Sequence, residues 1–355
     1  MRVIGLMSGT SYDAVDVAAA EFDRDGDTLH LRPLGDVEFP HPSPLRRQIA
    51  AVLPPATIGM ADVCRLDTVL GQTFADAAAR GVEELCDGRV DLVVSHGQTV
   101  FHWVENGHAR GTLQLGRPAW IAEAAGAPVL SDLRCADVAR GGQGAPLVPI
   151  FDAMLLGGDD TQRAALNLGG IANVTVTSDD GTVFGYDVGP ANALVDAACE
   201  RMAGVAYDRR GRLAASGRVV PELLQLLLDE PYYAQPPPKS TGKELFSWPY
   251  LKARLDRLDA VPDPVDVIAT VTELTAVTVA AEVQRNDVGE LVASGGGVRN
   301  LTLMRRLREL CGSSRTVSTI DDFGIPSGAK EAYAFALLGY LSWHGLAGAI
   351  PTVTG

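Results

Sequence analysis

The chain has 355 residues, 46% hydrophobic and 21% charged, with a net charge of -14. The length suits two domains with substantial cores, and the acidic balance argues against a nucleic-acid or polyanion partner, so a bound phosphate would have to be held locally by backbone N–H groups or a metal. Five dispersed cysteines without a CxxC pair, no apolar run of signal-peptide length at the start and no uncharged stretch of about 18 apolar residues point to a cytoplasmic protein with no membrane partner.

Val3–Met7 and Ala14–Glu21 read as a hairpin around Ser8-Gly9-Thr10-Ser11, and Leu29–Val37 as a third strand after a turn at Asp23–Asp27. Residues 61–86 carry apolar side chains near helical spacing. Asp91–Ser95 reads as a short apolar strand that stops at His96-Gly97. Leu113–Leu115 reads as a strand, Pro118–Ala125 as a helix, and Val129–Leu130 as the start of a strand ending at Asp132, before a glycine-rich loop at Gly141–Pro146.

The opening pattern then recurs. Ala164–Leu168, the turn Gly169-Gly170, Asn173–Thr177, the turn Ser178–Gly181 and Val183–Asp187 lead into a helix after Pro190. Strand, glycine turn, strand, turn, strand and helix thus occur twice, from residues 3 and 164. The spacing predicts domains at 1–160 and 161–334, divided at Gly157–Asp160, with a helix at about 335–355 packing back on the first. Gln235–Lys239 reads as an extended proline run, Asp266–Arg285 and Asn300–Leu310 as helices, Glu290–Ala293 as a strand, and Ala329–His344 as a buried helix.

Three glycine turns could carry chemistry. In the first, Gly9, Thr10 and Ser11 offer N–H and hydroxyl donors to phosphates. Asp13 and Asp16 beside them could hold a hydrated Mg²⁺. The second is Asn167–Asn173, with Gly169 and Gly170. The third, Gly295-Gly296-Gly297, follows a strand and opens a helix at Asn300. Taken alone, the first can as well be a plain structural turn and the third mere tight packing. The spacing is neither a P-loop nor GxGxxG, and Lys243 lacks the upstream glycines of a P-loop. Asp187 stands at a strand end, where a carboxylate can be a general base or merely a cap. His96 follows an apolar strand and could orient a substrate or simply close a turn. The spacing of His96, His102 and His108 fits no zinc site, and the sequence fixes no metal ligand set.

Eight segments run in order along nearly the whole chain: Met7–Ser11, Ser95–Thr99, Gly141–Pro149, Asn167–Asn173, Asp187–Asn192, Lys239–Glu244, Ala269–Ala276 and Ser294–Asn300. Together they closely resemble the anhydro-N-acetylmuramic acid kinases. Tyr12, Ala14, Leu133 and Asp152 depart from the family's usual residues, and Ala14 perturbs the first phosphate turn. The resemblance implies an α/β fold of two ribonuclease-H-like domains of the actin and hexokinase type, with ATP in the interdomain cleft. It implies ATP and Mg²⁺ as cofactors, an amino-sugar substrate and a homodimer. The implied reaction opens a 1,6-anhydro bridge with water and phosphorylates O6. Asp187 matches the catalytic aspartate, Glu331 an acidic residue near the sugar, and Arg134 a candidate fork for the lactyl carboxylate, with His96 beside the substrate. Gly9, Thr10, Ser11, Tyr12, Asp13, Ala14, Val15 and Asp16, with Gly169, Gly170, Gly295, Gly296, Gly297 and Asn300, would bind ATP. Two other readings compete: an ordinary sugar or carboxylate kinase of the same fold, and an ATPase switch or filament protein.

Overall fold

The structure, a computed structural model, describes residues 1–26, 28–106, 108–156, 162–177, 182–237 and 239–354. The expected boundary at 157–160, the turn at 178–181 and single positions in the turn at Asp27 and the proline run at Pro238 lie outside the described residues. The chain divides into two compact units, Met1–Phe151 with Ala329–Gly355, and Asp152–Gly328.

The first unit is built on β1 (Arg2–Ser8), β2 (Ala14–Asp25), β3 (Thr28–Pro40), β4 (Leu92–Glu105), β5 (His108–Leu115) and β6 (Val129–Leu130). The strand order is β3-β2-β1-β4-β5, with β6 on the first half of β4. The pairs β1–β2 and β2–β3 are antiparallel, while β1–β4 and β4–β6 are parallel. The second unit repeats this with β7 (Arg163–Leu168), β8 (Ile171–Thr177), β9 (Val183–Pro190), β10 (Glu290–Ser294) and β11 (Thr316–Thr319), ordered β11-β10-β7-β8-β9. Again the first three strands in sequence are antiparallel; here the last two both run parallel to the first, whereas in the first unit β5 is antiparallel to β4. Both sheets have the order of a ribonuclease-H-like domain, the fold the resemblance implies.

Alternation along β1 sends successive side chains to opposite faces. Ile4 and Leu6 join Leu66, Leu70, Phe74 and Ala78 of the helix Met60–Cys86 in one core. On the other face lies the helix Lys330–Trp343, buried from Ala332 to Leu341. It approaches so closely that a Cβ on Gly5 would stand 1.9 Å from Ala332 O, and one on Gly339 2.0 Å from Val94 Cγ2. The helix therefore belongs to the first unit from its first turn, whereas the sequence divided it at residue 334. Thr354 holds the chain's return, donating to Asp137 Oδ1 at 3.2 Å and accepting from the Gln143 N–H at 2.7 Å.

In the second unit the helix Pro264–Arg285 is, among the described residues, the one helix long and apolar enough to cross a membrane. Its position accounts for that composition: 72% of the apolar window is buried inside the protein. Ala276, Val279, Ala280 and Val283 meet the sheet. Val267, Ile268, Val271 and Leu274 meet a second cluster formed with Leu223, Phe246 and Leu251.

One strand differs from expectation. β4 does not stop at His96-Gly97 but runs on to Glu105. Leu6 faces Ser95 while Ser8 faces Gln98, so β4 carries one extra residue there. The glycine marks a bulge inside the strand, a device that re-aims neighbouring side chains.

Candidate active site

In the first unit, Gly9–Asp13 forms the turn between β1 and β2, closed by the Tyr12 N–H donating to Gly9 O at 3.1 Å. Ser11 Oγ donates to Asp13 Oδ1 at 2.7 Å. Thr10, Ser11 and Asp13 are exposed, but Ala14 and Val15 are buried and present no side chain to a ligand. A buried polar group supports the turn from below. Ser8 Oγ lies 2.7 Å from Gln98 Oε1, 3.0 Å from Ala14 O and 3.2 Å from His41 Nε2, and the Gln98 amide donates to Gly9 O at 3.1 Å. Burial holds the His41 imidazole below its usual pKa, against the pull of Asp13. The sequence did not single out Ser8, His41 or Gln98. Ser8 and Gln98 flank glycine turns, whereas His41, between Pro40 and Pro42, gave no signal.

Asp16 sits on β2 opposite Glu38. Burial, reinforced by Glu38, Asp13, Glu331 and Asp36, raises its carboxyl to about 7. Such a concentration of carboxylate oxygens suits a hard divalent cation. Among the described residues no three His, Cys, Asp or Glu side chains converge as a metal cage. Asp13 and Asp16 thus fit a cation held through water.

His96 is 6% exposed, and both ring nitrogens are engaged. Its Nε2 accepts from the Arg134 Nε–H at 2.8 Å, so Nδ1 carries the proton and donates to Gly97 O at 2.7 Å. Burial, with the guanidinium beside it, drives its pKa down to about 3. His96 therefore orients Arg134 and has no nitrogen left for a substrate. Arg134 Nη1 donates to Gly144 O at 2.8 Å. With Nε and Nη1 each engaged, Nη2 has no partner among the described residues and keeps its donors for a ligand. Glu331, in the first turn of Lys330–Trp343, is solvent-accessible, yet protein atoms crowding its carboxyl raise its pKa against the pull of Arg134 and Lys330.

In the second unit, the Gly169-Gly170 turn has its carbonyls tied to the following helix: Ala191 and Ala193 N–H donate to Gly170 O, and Asn192 N–H to Gly169 O. Lys243 lies over this turn, its Cε 3.4 Å from where a Cβ on Gly170 would stand. The three glycines at 295–297 are not equivalent. Gly295 has φ +82° and a Cβ there would meet Asn167 Oδ1 at 2.5 Å; at Gly297 it would meet Leu168 Cβ at 2.5 Å. These two pack the loop on the β7–β8 turn. Gly296 alone faces space, its nearest neighbour being Asn192 Nδ2 at 3.9 Å. The open Cβ positions at Gly9 and Gly296 fit a phosphate approaching the backbone. Asn300 Oδ1 accepts from the Leu303 N–H at 3.0 Å, which commits that oxygen to a helix cap.

Asp187 stands beside a second bulge, where Ala172 faces Gly189 and Asn173 faces Asp187. Its Oδ2 accepts from the Thr241 N–H at 2.9 Å, and its Oδ1 has no partner among the described residues. Burial raises its pKa and Glu244 adds to this, against the Thr241 hydrogen bond. The carboxyl is thus more basic than a surface aspartate, with one oxygen fixed and the other open. Thr241, in the Lys239–Glu244 segment, escaped assignment because its part is played by the main chain.

The family model of anhydro-N-acetylmuramic acid kinase matches residues 1–355. The anhydro-N-acetylmuramic acid kinase of Streptomyces coelicolor is 56% identical across 100% of this chain and 91% of its own length. That of Rhodococcus erythropolis is 53% identical, with the same coverage of each chain. Among solved structures, the (R)-2-hydroxyglutaryl-CoA dehydratase component A of Acidaminococcus fermentans aligns over 96% of this chain and 98% of its own, at 13% identity and a TM-score of 0.45; that similarity adds no argument about ligands. On the match over its whole length and the two kinases more than half identical to it, the chain belongs to the anhydro-N-acetylmuramic acid kinase family.

Proposed function

We propose that this kinase opens the 1,6-anhydro ring of anhydro-N-acetylmuramic acid with water and phosphorylates O6, giving N-acetylmuramic acid 6-phosphate and ADP. It serves the recycling of cell-wall sugars in the cytoplasm, as a homodimer. The observation that carries the reading is the carboxyl of Asp187, raised in basicity by burial, with Oδ2 anchored and Oδ1 open, in a chain of this family.

Asp187 takes a proton from a water as that water's oxygen bonds to C1 of the sugar. The C1–O6 bond breaks, its electron pair stays on O6, and O6 forms the new bond to the γ-phosphorus as ADP departs. Positioning and charge stabilisation are the protein's main tasks in such a transfer. Arg134, held by His96, and Glu331 orient the sugar. The Gly9–Asp16 hairpin, Gly169, Gly170 and the Gly295–Gly297 loop bind ATP, with Gly296 giving the closest backbone approach. Asp13 and Asp16 would hold Mg²⁺ through water, and the bound ion would neutralise phosphate charge.

A coupled ADP-release assay tests this with anhydro-N-acetylmuramic acid against N-acetylglucosamine and glucose. Turnover is expected with the anhydro sugar alone. In heavy-oxygen water, product sampled early should carry label at C1 and none in the O6–phosphate bridge. Comparable turnover of glucose, or label in that bridge, would favour an ordinary hydroxyl kinase.

A further inference from the structure

Behind Asp187 lies a charged side chain that the reaction above does not use. The Lys239 side chain is 1% exposed. Its Nζ lies 3.5 Å from Glu282 Oε1 and 3.4 Å from Tyr233 O, and faces the rings of Tyr232 at 5.1 Å and Tyr186 at 5.8 Å. Stability alone gives a poor reason for it. A buried ion pair seldom stabilises more than apolar residues of the same volume, because desolvation offsets the attraction. Glu282 moreover has other partners, the Tyr186 hydroxyl at 3.0 Å and Arg285 Nη1 at 3.0 Å. The ammonium depends on Glu282 more than Glu282 depends on the ammonium.

What distinguishes this lysine is what its neighbours hold. The Asp187 N–H donates to Lys239 O at 3.2 Å, the Tyr232 hydroxyl donates to Asp187 O at 2.7 Å, and the Thr241 N–H donates to Asp187 Oδ2 at 2.9 Å. The main chain of Asp187 and one carboxylate oxygen are thus all set by residues on either side of the buried ammonium.

We propose that Lys239 is a positioning residue for the reaction: its buried ammonium anchors the Lys239–Thr241 segment in the core of the second unit, and that segment fixes which carboxylate oxygen of Asp187 meets the water. The inference rests on Asp187 acting as the base. Without the anchor the Thr241 N–H drifts from Oδ2, the carboxyl rotates, and the hydrogen bond that opposes burial and Glu244 is lost.

The test compares full-length wild type, Asp187→Asn, Lys239→Met and Tyr232→Phe in ADP release with the anhydro sugar, each with a thermal melt. Methionine keeps the length of the lysine stem and removes its charge. For Lys239→Met, kcat should fall on the order of 10²-fold, the scale of a displaced catalytic group, with KM for ATP little changed. The acid limb of its pH–rate profile should move to higher pH, a shift that simple loss of folded enzyme would not produce. Tyr232→Phe, which loses one hydrogen bond and keeps its ring, should move both in the same direction by less, and it decides the question if Lys239→Met does not fold. A folded Lys239→Met or Tyr232→Phe enzyme with wild-type kcat and an unmoved acid limb, beside an inactive Asp187→Asn, overturns the anchor and leaves the base intact. Wild-type turnover by Asp187→Asn removes the base and the anchor's purpose with it.

Discussion

Asp187→Asn preserves the shape of the side chain but cannot take a proton from water. The rate should fall on the order of 10²–10⁴-fold. Binding of ATP and sugar should change much less, since the water is activated chiefly in the transition state. Asp16 allows a test that needs no substrate. Its folded pKa of about 7 lies above the ordinary 3.8, so between those values the folded state binds more protons than the unfolded one. Its contribution to stability is therefore greatest below about 4 and declines as pH rises to 7. Melting curves at pH 5 and pH 8 should show wild type losing more stability than Asp16→Asn across that interval. If Asp16 helps hold a hydrated cation, Mg²⁺ at pH 8 should restore part of the loss in wild type and none in Asp16→Asn. Equal pH slopes in the two proteins would remove the strained carboxyl.

The glycine loop after β10 separates packing from binding within three residues. Gly296→Val should leave the melt near wild type and weaken ATP binding, because the new side chain enters open space in front of the backbone. Gly297→Val must displace Leu168 and should cost about 1–3 kcal/mol of stability or more. The reverse outcome would put the ligand face on Gly297. At this scale the sequence was legible wherever apolar periodicity ran unbroken: both three-strand meanders, the helix Met60–Cys86 and the helix Pro264–Arg285. It misled at β4, where Gly97 looked like a strand end and is a bulge, since local glycine chemistry is the same in both cases. β11 went unread because four residues give no period. Asp187 was visible as a carboxylate on the third strand of its unit, but that strand does not end there: β9 runs on to Pro190 past a bulge. Lys239, Thr241 and Tyr232 were not visible, because hydrogen bonds spanning 45 to 54 residues depend on the register of the finished fold.

With a net charge of -14, the whole molecule repels a polyanionic nucleotide at long range. Raising ionic strength from low values toward 0.15 M shortens the Debye length to about 8 Å. kcat/KM for ATP should therefore rise modestly with added inert salt and then level off, and a steep fall instead would point to a local cationic funnel. The return of Ala329–Gly355 to the first unit has a further consequence, for the order of events during synthesis. The second unit is an insertion within the first: all its strands are translated before the helix that covers the back of β1. Asp152–Gly328 can mature while the first unit still exposes the sheet face around Gly5. A free chain truncated after residue 328 should therefore show a protease-resistant second unit and a sensitive first one. Restoring the last 27 residues should protect both.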